Sequence, residues 1–183
     1  MIKKIFTITL LGLVLVMSGC DDSAEVEHTN HETHTAQAAT IAKNVPAFTT
    51  KTITGETATN EIFAAKKISV LNIWGTFCPP CIDEMPKLGE MARSMPNDAQ
   101  LIGLVCDASE DSVQVQRALK ITQEAGAGFV NIVPDDNLLV FMENVEAVPT
   151  TIFINSKGEV VGNMIVGADV EGYKDELERL LKQ

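Results

Sequence analysis

The chain has 183 residues, 45% of them apolar, enough for one domain with a core of its own. Its formal net charge of −11 argues against a nucleic-acid binder, which needs a basic surface. With four cysteines there is no framework of many bridges, so the domain must fold by burying apolar surface.

Lys3 and Lys4 precede an apolar run from Ile5 to Met17, followed by Ser18-Gly19-Cys20. A basic start, an apolar stretch and small residues at a cut site are the layout of a signal peptide. The run is too short to span a bilayer, which takes roughly 20 apolar residues. "VMSGC" resembles a bacterial lipoprotein signal, in which Cys20 carries the lipid and becomes the first mature residue; a plain secretory signal is the alternative. Residues 1–19 therefore read as a leader. Their removal takes away two lysines and no acid, so the mature chain is more acidic still. The expected location is the extracytoplasmic face of the cytoplasmic membrane, reached through the lipid anchor, where disulfides can form.

Residues 20–44 are polar and lack apolar periodicity, as a flexible tether does. They hold the only histidines, His28, His31 and His34. These could bind zinc, copper or nickel loosely. They could equally be a solvated spacer, since a mobile chain loses entropy on forming a site. The remainder, residues 45–183, is the folded domain and has no histidine, which argues against a cysteine–histidine nucleophile pair.

Within that domain, "FTTKTITGETAT" reads as a short hairpin turning at Gly55. "ISVLNIW" (68–74) is a run of β-formers suited to a buried central strand. After Cys78-Pro-Pro-Cys81 comes a helix with Met85, Leu88, Met91 and Ala92 on one face, and Pro86 should kink it. "AQLIGLVCD" (99–107) is a second buried strand, "SVQVQRALKITQEAG" a helix ended by Gly126, "FVNIVPD" a strand and "NLLVFMENV" a short helix. "TTIFIN", a "SKGE" turn and "VVGNMIVG" make a hairpin, and Asp169 opens a last amphipathic helix through Leu181. Strands alternating with helices predict an α/β domain with a mixed sheet.

A strand running straight into Cys-X-X-Cys and then a helix is the thioredoxin-type redox arrangement. At a helix N-terminus the free N–H groups and the positive dipole end favour a thiolate, the nucleophilic form. Cys78 is expected at that mouth, partly exposed, with Cys81 one turn deeper, placed to attack a mixed disulfide on Cys78. Pro79 suits the first helical position. Rival readings of the pair are weaker. A structural zinc site needs four ligands, and no second CxxC or CxxH exists. A permanent bridge over three residues closes too small a loop to stabilise much. Peroxiredoxins carry Thr or Ser three residues before the reactive cysteine, where this chain has Gly75. Further along, Val148-Pro149 puts proline at the first residue of a strand, and beside a CxxC it predicts a cis peptide bond.

Together "VLNIWGTFCPPCIDEMP" and "VPTTIFIN…G" resemble the TlpA/ResA-like family of membrane-tethered, thioredoxin-like thiol–disulfide oxidoreductases, over about Val45 to Leu181. The resemblance implies a thioredoxin fold: a mixed central sheet flanked by helices, with the N-terminal hairpin and a central helix–strand insertion that "SVQVQRALKITQEAGAGFVNIV" could supply. It implies reduction of disulfides in exported proteins, often apocytochrome c, with recharging by a membrane electron donor of the CcdA/DsbD type, a monomeric state, and no cofactor or metal. It makes Cys78 the attacking and Cys81 the resolving cysteine, Trp74 an active-site flank and Pro149 the substrate-facing cis proline. Phe77, Pro79, Pro80 and Val148 join Trp74 as substrate-contact candidates. Asn72 stands where thioredoxins have a buried Asp, so another acid must take the proton of Cys81. Glu84 is the nearest by sequence; a solvated glutamate helped by the helix dipole is the other reading.

The dipeptide between the cysteines also bears on direction. Pro79 and Pro80 lack N–H donors, no histidine is near, and Asp83 and Glu84 add negative charge. All three leave a Cys78 thiolate weakly stabilised, which predicts a reductant with a potential near thioredoxin's, about −270 mV, rather than DsbA's, about −120 mV. The competing functions are a metal chaperone built from the CxxC and the tether histidines, and a disulfide isomerase or oxidase. Cys106, at the end of "LIGLVC", is either an inert core cysteine or a third redox thiol.

Overall fold

A computed structural model describes residues 41–183. The leader, Cys20 and the tether histidines lie outside the described residues. The elements are β1 (Thr49–Lys51), β2 (Thr57–Thr59), α1 (Glu61–Ala64), β3 (Ile68–Trp74), α2 (Pro79–Ser94), β4 (Ala99–Val105), α3 (Val113–Glu124), β5 (Val130–Ile132), α4 (Asp136–Met142), β6 (Thr150–Asn155), β7 (Val160–Val166) and α5 (Val170–Leu181). Five strands form one mixed sheet in the order β5-β4-β3-β6-β7. β3, β4 and β5 run parallel, while β6 is antiparallel to both β3 and β7. This is the thioredoxin-type architecture the residues predict, with α3 and β5 as the helix–strand unit after β4.

Every residue of β3 is buried, because helices cover both faces of the sheet. Strand parity divides its side chains. Val70 and Trp74 point into a core shared with Met85 and Leu88 of α2, Ala118 of α3 and Tyr173 and Leu177 of α5. Leu71 and Ile73 point the other way, against Phe63, Leu138 and Phe141. Asn72 shares the parity of Val70 and Trp74, so this one polar residue of the strand's middle faces α2 and α5.

The first hairpin pairs Thr49 with Thr59 and turns at Gly55, whose φ of +88° is costly for any residue with a Cβ. α1, a single turn of helix, was not expected from the sequence. Backbone pairing begins slightly before Val45: Lys43 and Val45 bond to Val160 and Gly158. α2 continues through Pro86 as one helix, with the proline ring exposed. The strand expected over 129–135 shrinks to Val130–Ile132, because Pro134 has no N–H for a ladder. Asp135 and Asp169 cap α4 and α5, accepting from Leu138 N–H and Gly172 N–H at 2.9 Å each. No helix among the described residues is long and apolar enough to cross a membrane.

Candidate active site

β3 delivers the chain to the top of the sheet at Trp74, and the turn Gly75–Phe77 hands it to α2. Cys78 is the N-cap of that helix, in extended backbone conformation, with Pro79 at the first helical position. Its sulfur is bonded to Cys81 in a disulfide, with the two Cα atoms 5.3 Å apart. Because Pro79 and Pro80 carry no N–H, the first donor available to Cys78 Sγ is the backbone N–H of Cys81, at 3.3 Å. The carbonyl oxygen of Val148 lies 3.4 Å from the same sulfur, on the loop whose Val148–Pro149 bond is cis, as expected.

Two expectations need correction. Cys78 is only 4% exposed rather than open at the mouth, since in the oxidised state its sulfur is closed against Cys81 and under the Val148 loop. Trp74, expected at the substrate face, is fully buried. Its indole N–H donates to Asn131 Oδ1 at 2.9 Å, so it forms the floor beneath the cysteines and has no surface for substrate. That contact exists because residue 103 is glycine: a Cβ there would meet Asn131 Oδ1 at 1.9 Å and Trp74 Nε1 at 3.0 Å.

In front of the dithiol lies a groove of about 480 Å³ between the turn before α2, α4 and the Val148 loop. Phe77, 61% exposed, and Val148 line it together with Leu139, Val145, Glu143 and Glu146. The Phe77 ring folds back over Gly75, where a Cβ would come within 2.6 Å of it. Pro79 and Pro80 are exposed beside the groove, and Pro149 is buried. Cys106 lines the groove as a half-buried free thiol. Burial, and then Asp107, push its pKa up to about 11, so it stays protonated and a poor nucleophile at neutral pH.

Behind Cys81 the surroundings are different. Glu84, one turn along α2, is 4% exposed, not the solvated glutamate of the alternative reading. Asn72 Nδ2 donates to its Oε1 at 3.1 Å and to Thr151 Oγ1 at 3.0 Å. Tyr173 Oη lies 3.1 Å from its Oε2. Burial raises the Glu84 pKa from 4.5 to about 7, against the lowering effect of the Asn72 and Tyr173 bonds; the Asp169 charge adds a smaller rise. Lys87, Asp83, Asp169 and Glu171 share with Glu84 a cleft of about 330 Å³ that opens beside Pro80.

The sequence did not single out Tyr173, Thr151 or Asn131. Tyr173 had a signal: it is the sole tyrosine and lies on one helical face with Leu177 and Leu180, a buried ring whose hydroxyl then needs a partner. Among the described residues, no group of three or more His, Cys, Asp or Glu is placed to hold a metal.

Residues 41–162 match the AhpC/TSA family. The thiol-disulfide oxidoreductase ResA of Halalkalibacterium halodurans is 30% identical over 112 residues, spanning 61% of this chain and 61% of its own length. The thioredoxin-like protein YneN of Bacillus subtilis is 28% identical over 139 residues, 76% of this chain and 77% of its own. The crystal structure of StoA from Bacillus subtilis has the same fold, with a TM-score of 0.59 at 20% identity, covering 74% of this chain and 99% of StoA. The resemblance to ResA-like proteins therefore holds, and the threonine or serine of a peroxidatic site is missing at Gly75. The chain belongs to the AhpC/TSA family and is, within it, a thioredoxin-like thiol–disulfide oxidoreductase.

Proposed function

We propose that this protein reduces disulfides of exported proteins, apocytochrome c or similar, on the outer side of the cytoplasmic membrane, anchored by a lipid on Cys20 after removal of residues 1–19. Residues 20–44 serve as the tether and residues 45–183 as the catalytic domain. In the reduced protein, the Cys78 thiolate attacks one sulfur of the substrate disulfide; a Cys78–substrate bond forms and the other substrate sulfur leaves as a thiolate. Cys81 then gives up its proton and attacks Cys78 Sγ. The Cys78–Cys81 bond forms and the second substrate sulfur departs. Two electrons and two protons pass to the substrate, and a membrane donor of the CcdA/DsbD type returns them.

Asn72 cannot accept a proton, and Glu84 is the acid one helical turn from Cys81, so Glu84 takes the Cys81 proton. Its pKa near 7 suits a group that must both take and return a proton at neutral pH. Substrate side chains flanking the disulfide rest in the groove on Phe77 and Val148, with Pro79, Pro80 and Pro149 bordering the cysteines.

The observation that carries the reducing direction is the environment of Cys78 Sγ. It has one N–H donor, from Cys81, and faces the carbonyl oxygen of Val148. That oxygen can accept from a thiol but repels a thiolate, so the dithiol gives up its electrons readily. The test is the reduction potential measured against glutathione, together with trapping by Cys81→Ala. A potential near about −270 mV and stable mixed disulfides on Cys78 are expected; a potential near about −120 mV would mark an oxidant instead.

A further inference from the structure

The hydroxyl of Tyr173 sits between three groups. It lies 2.7 Å from the carbonyl oxygen of Gly167, 3.1 Å from Glu84 Oε2, and accepts the backbone N–H of Asp169 at 3.2 Å. A phenol has one proton, so it cannot donate to Gly167 and to Glu84 at the same moment. With Glu84 protonated, the carboxyl supplies the proton to Tyr173 Oη, and the tyrosine donates to the closer Gly167 oxygen. With Glu84 ionised, the hydroxyl proton is needed on Oε2. A rotation about one C–O bond converts the first arrangement into the second.

The other side of the carboxyl has the same property. The Asn72 amide can present nitrogen to a carboxylate or oxygen to a carboxylic acid, and its Oδ1 is buried without a partner among the described residues. Thr151 Oγ1, its second neighbour, can accept or donate. Among the described residues no lysine or arginine forms an ion pair with Glu84; the ionisable side chains that share its cleft are Lys87, Asp83, Asp169 and Glu171. A fixed cation would hold Glu84 ionised, whereas these reversible partners serve both of its states.

We propose that Tyr173 is a positioning residue for the redox reaction: from α5 it holds Glu84 beside Cys81 and, by turning its hydroxyl proton between the Gly167 carbonyl and Glu84 Oε2, stabilises the carboxyl in both protonation states. Burial keeps the tyrosine pKa up at about 12, so it acts as a hydrogen-bond partner and never as the base. The proposal rests on the reading of Glu84 as the proton acceptor of Cys81.

Two measurements separate the proposals. In the oxidised full chain, ¹³C NMR of the Glu84 carboxyl gives its titration directly. Tyr173→Phe keeps the buried ring and removes the hydroxyl. Because a bond to a charged acceptor is the stronger of the two, its loss should move the Glu84 midpoint up by about one unit. An unchanged or lowered midpoint overturns the role of Tyr173. The second measurement is the rate at which Cys81 resolves a mixed disulfide with a dithiol peptide, followed against pH. Tyr173→Phe should shift that profile in wild type and leave it unshifted in a Glu84→Gln background. If Glu84→Gln itself leaves the profile unchanged, the proton-acceptor reading falls, while the NMR titration still decides the positioning role.

Discussion

The two sides of the disulfide are built from opposite materials. In front, the groove is bordered by Phe77, Val148 and Leu139, apolar groups with few hydrogen bonds and much exposure. Behind, Asn72, Glu84, Thr151 and Tyr173 are all buried and bonded to one another. Apolar surface recognises a partner without demanding fixed geometry. A buried polar cluster does demand it, since each unpaired group is costly in a low dielectric. The front is therefore suited to varied contacts and the back to one fixed arrangement.

This contrast can be tested from its strongest consequence downward. The largest effect lies behind the disulfide, in stability against pH. Between about pH 4.5 and 7 the folded protein keeps a proton on Glu84 that the unfolded chain has already released. Stability therefore falls as pH rises across that window, by about 3 kcal/mol from this group, and stays lower above it. Glu84→Gln should remove that slope. Urea unfolding of both proteins at a series of pH values checks it, and parallel curves would mean that Glu84 titrates normally.

Next comes the floor that front and back share. Gly103→Ala forces a methyl against Asn131 and breaks the Trp74–Asn131 bond, with an expected loss of about 2 kcal/mol. A denaturation midpoint equal to wild type would show that the floor can shift without penalty.

The smallest effect belongs to the front. Phe77→Ala should raise KM for a disulfide-bearing protein about fivefold, or ~1 kcal/mol, and leave stability unchanged. A drop in kcat with KM unchanged would place Phe77 in the chemistry rather than in recognition.

The front of the site was largely legible in the sequence because it is local. Cys78, the two prolines and Cys81 lie in one turn, and the strand before and helix after declare themselves by composition. Val148-Pro149 was legible from its place ahead of a β-rich run. The back was legible only in part: Asn72 and Glu84 stood out along the chain, but their partners Thr151 and Tyr173 did not, because the cluster assembles from β3, α2, β6 and α5. Asn72, Glu84, Thr151 and Tyr173 meet only through strand parity and the packing of two helices on one face. Trp74 was misplaced for the same reason: adjacency to the cysteines in sequence suggested a surface flank, while its parity in β3 turns it into the core. α1 escaped notice because one turn of helix has no period to read.

The attachment of Tyr173 to the last helix has a consequence for biogenesis. The chain leaves the ribosome with both cysteines ahead of α5. Until that terminal helix docks, Glu84 is an ordinary hydrated carboxylate with no phenol against it. Both cysteines precede α5 along the chain, so the phenol that bonds Glu84 joins the site only when that helix packs against α2. A truncation that removed α5 and spared every residue around the cysteines would leave the Glu84 carboxyl without its Tyr173 bond.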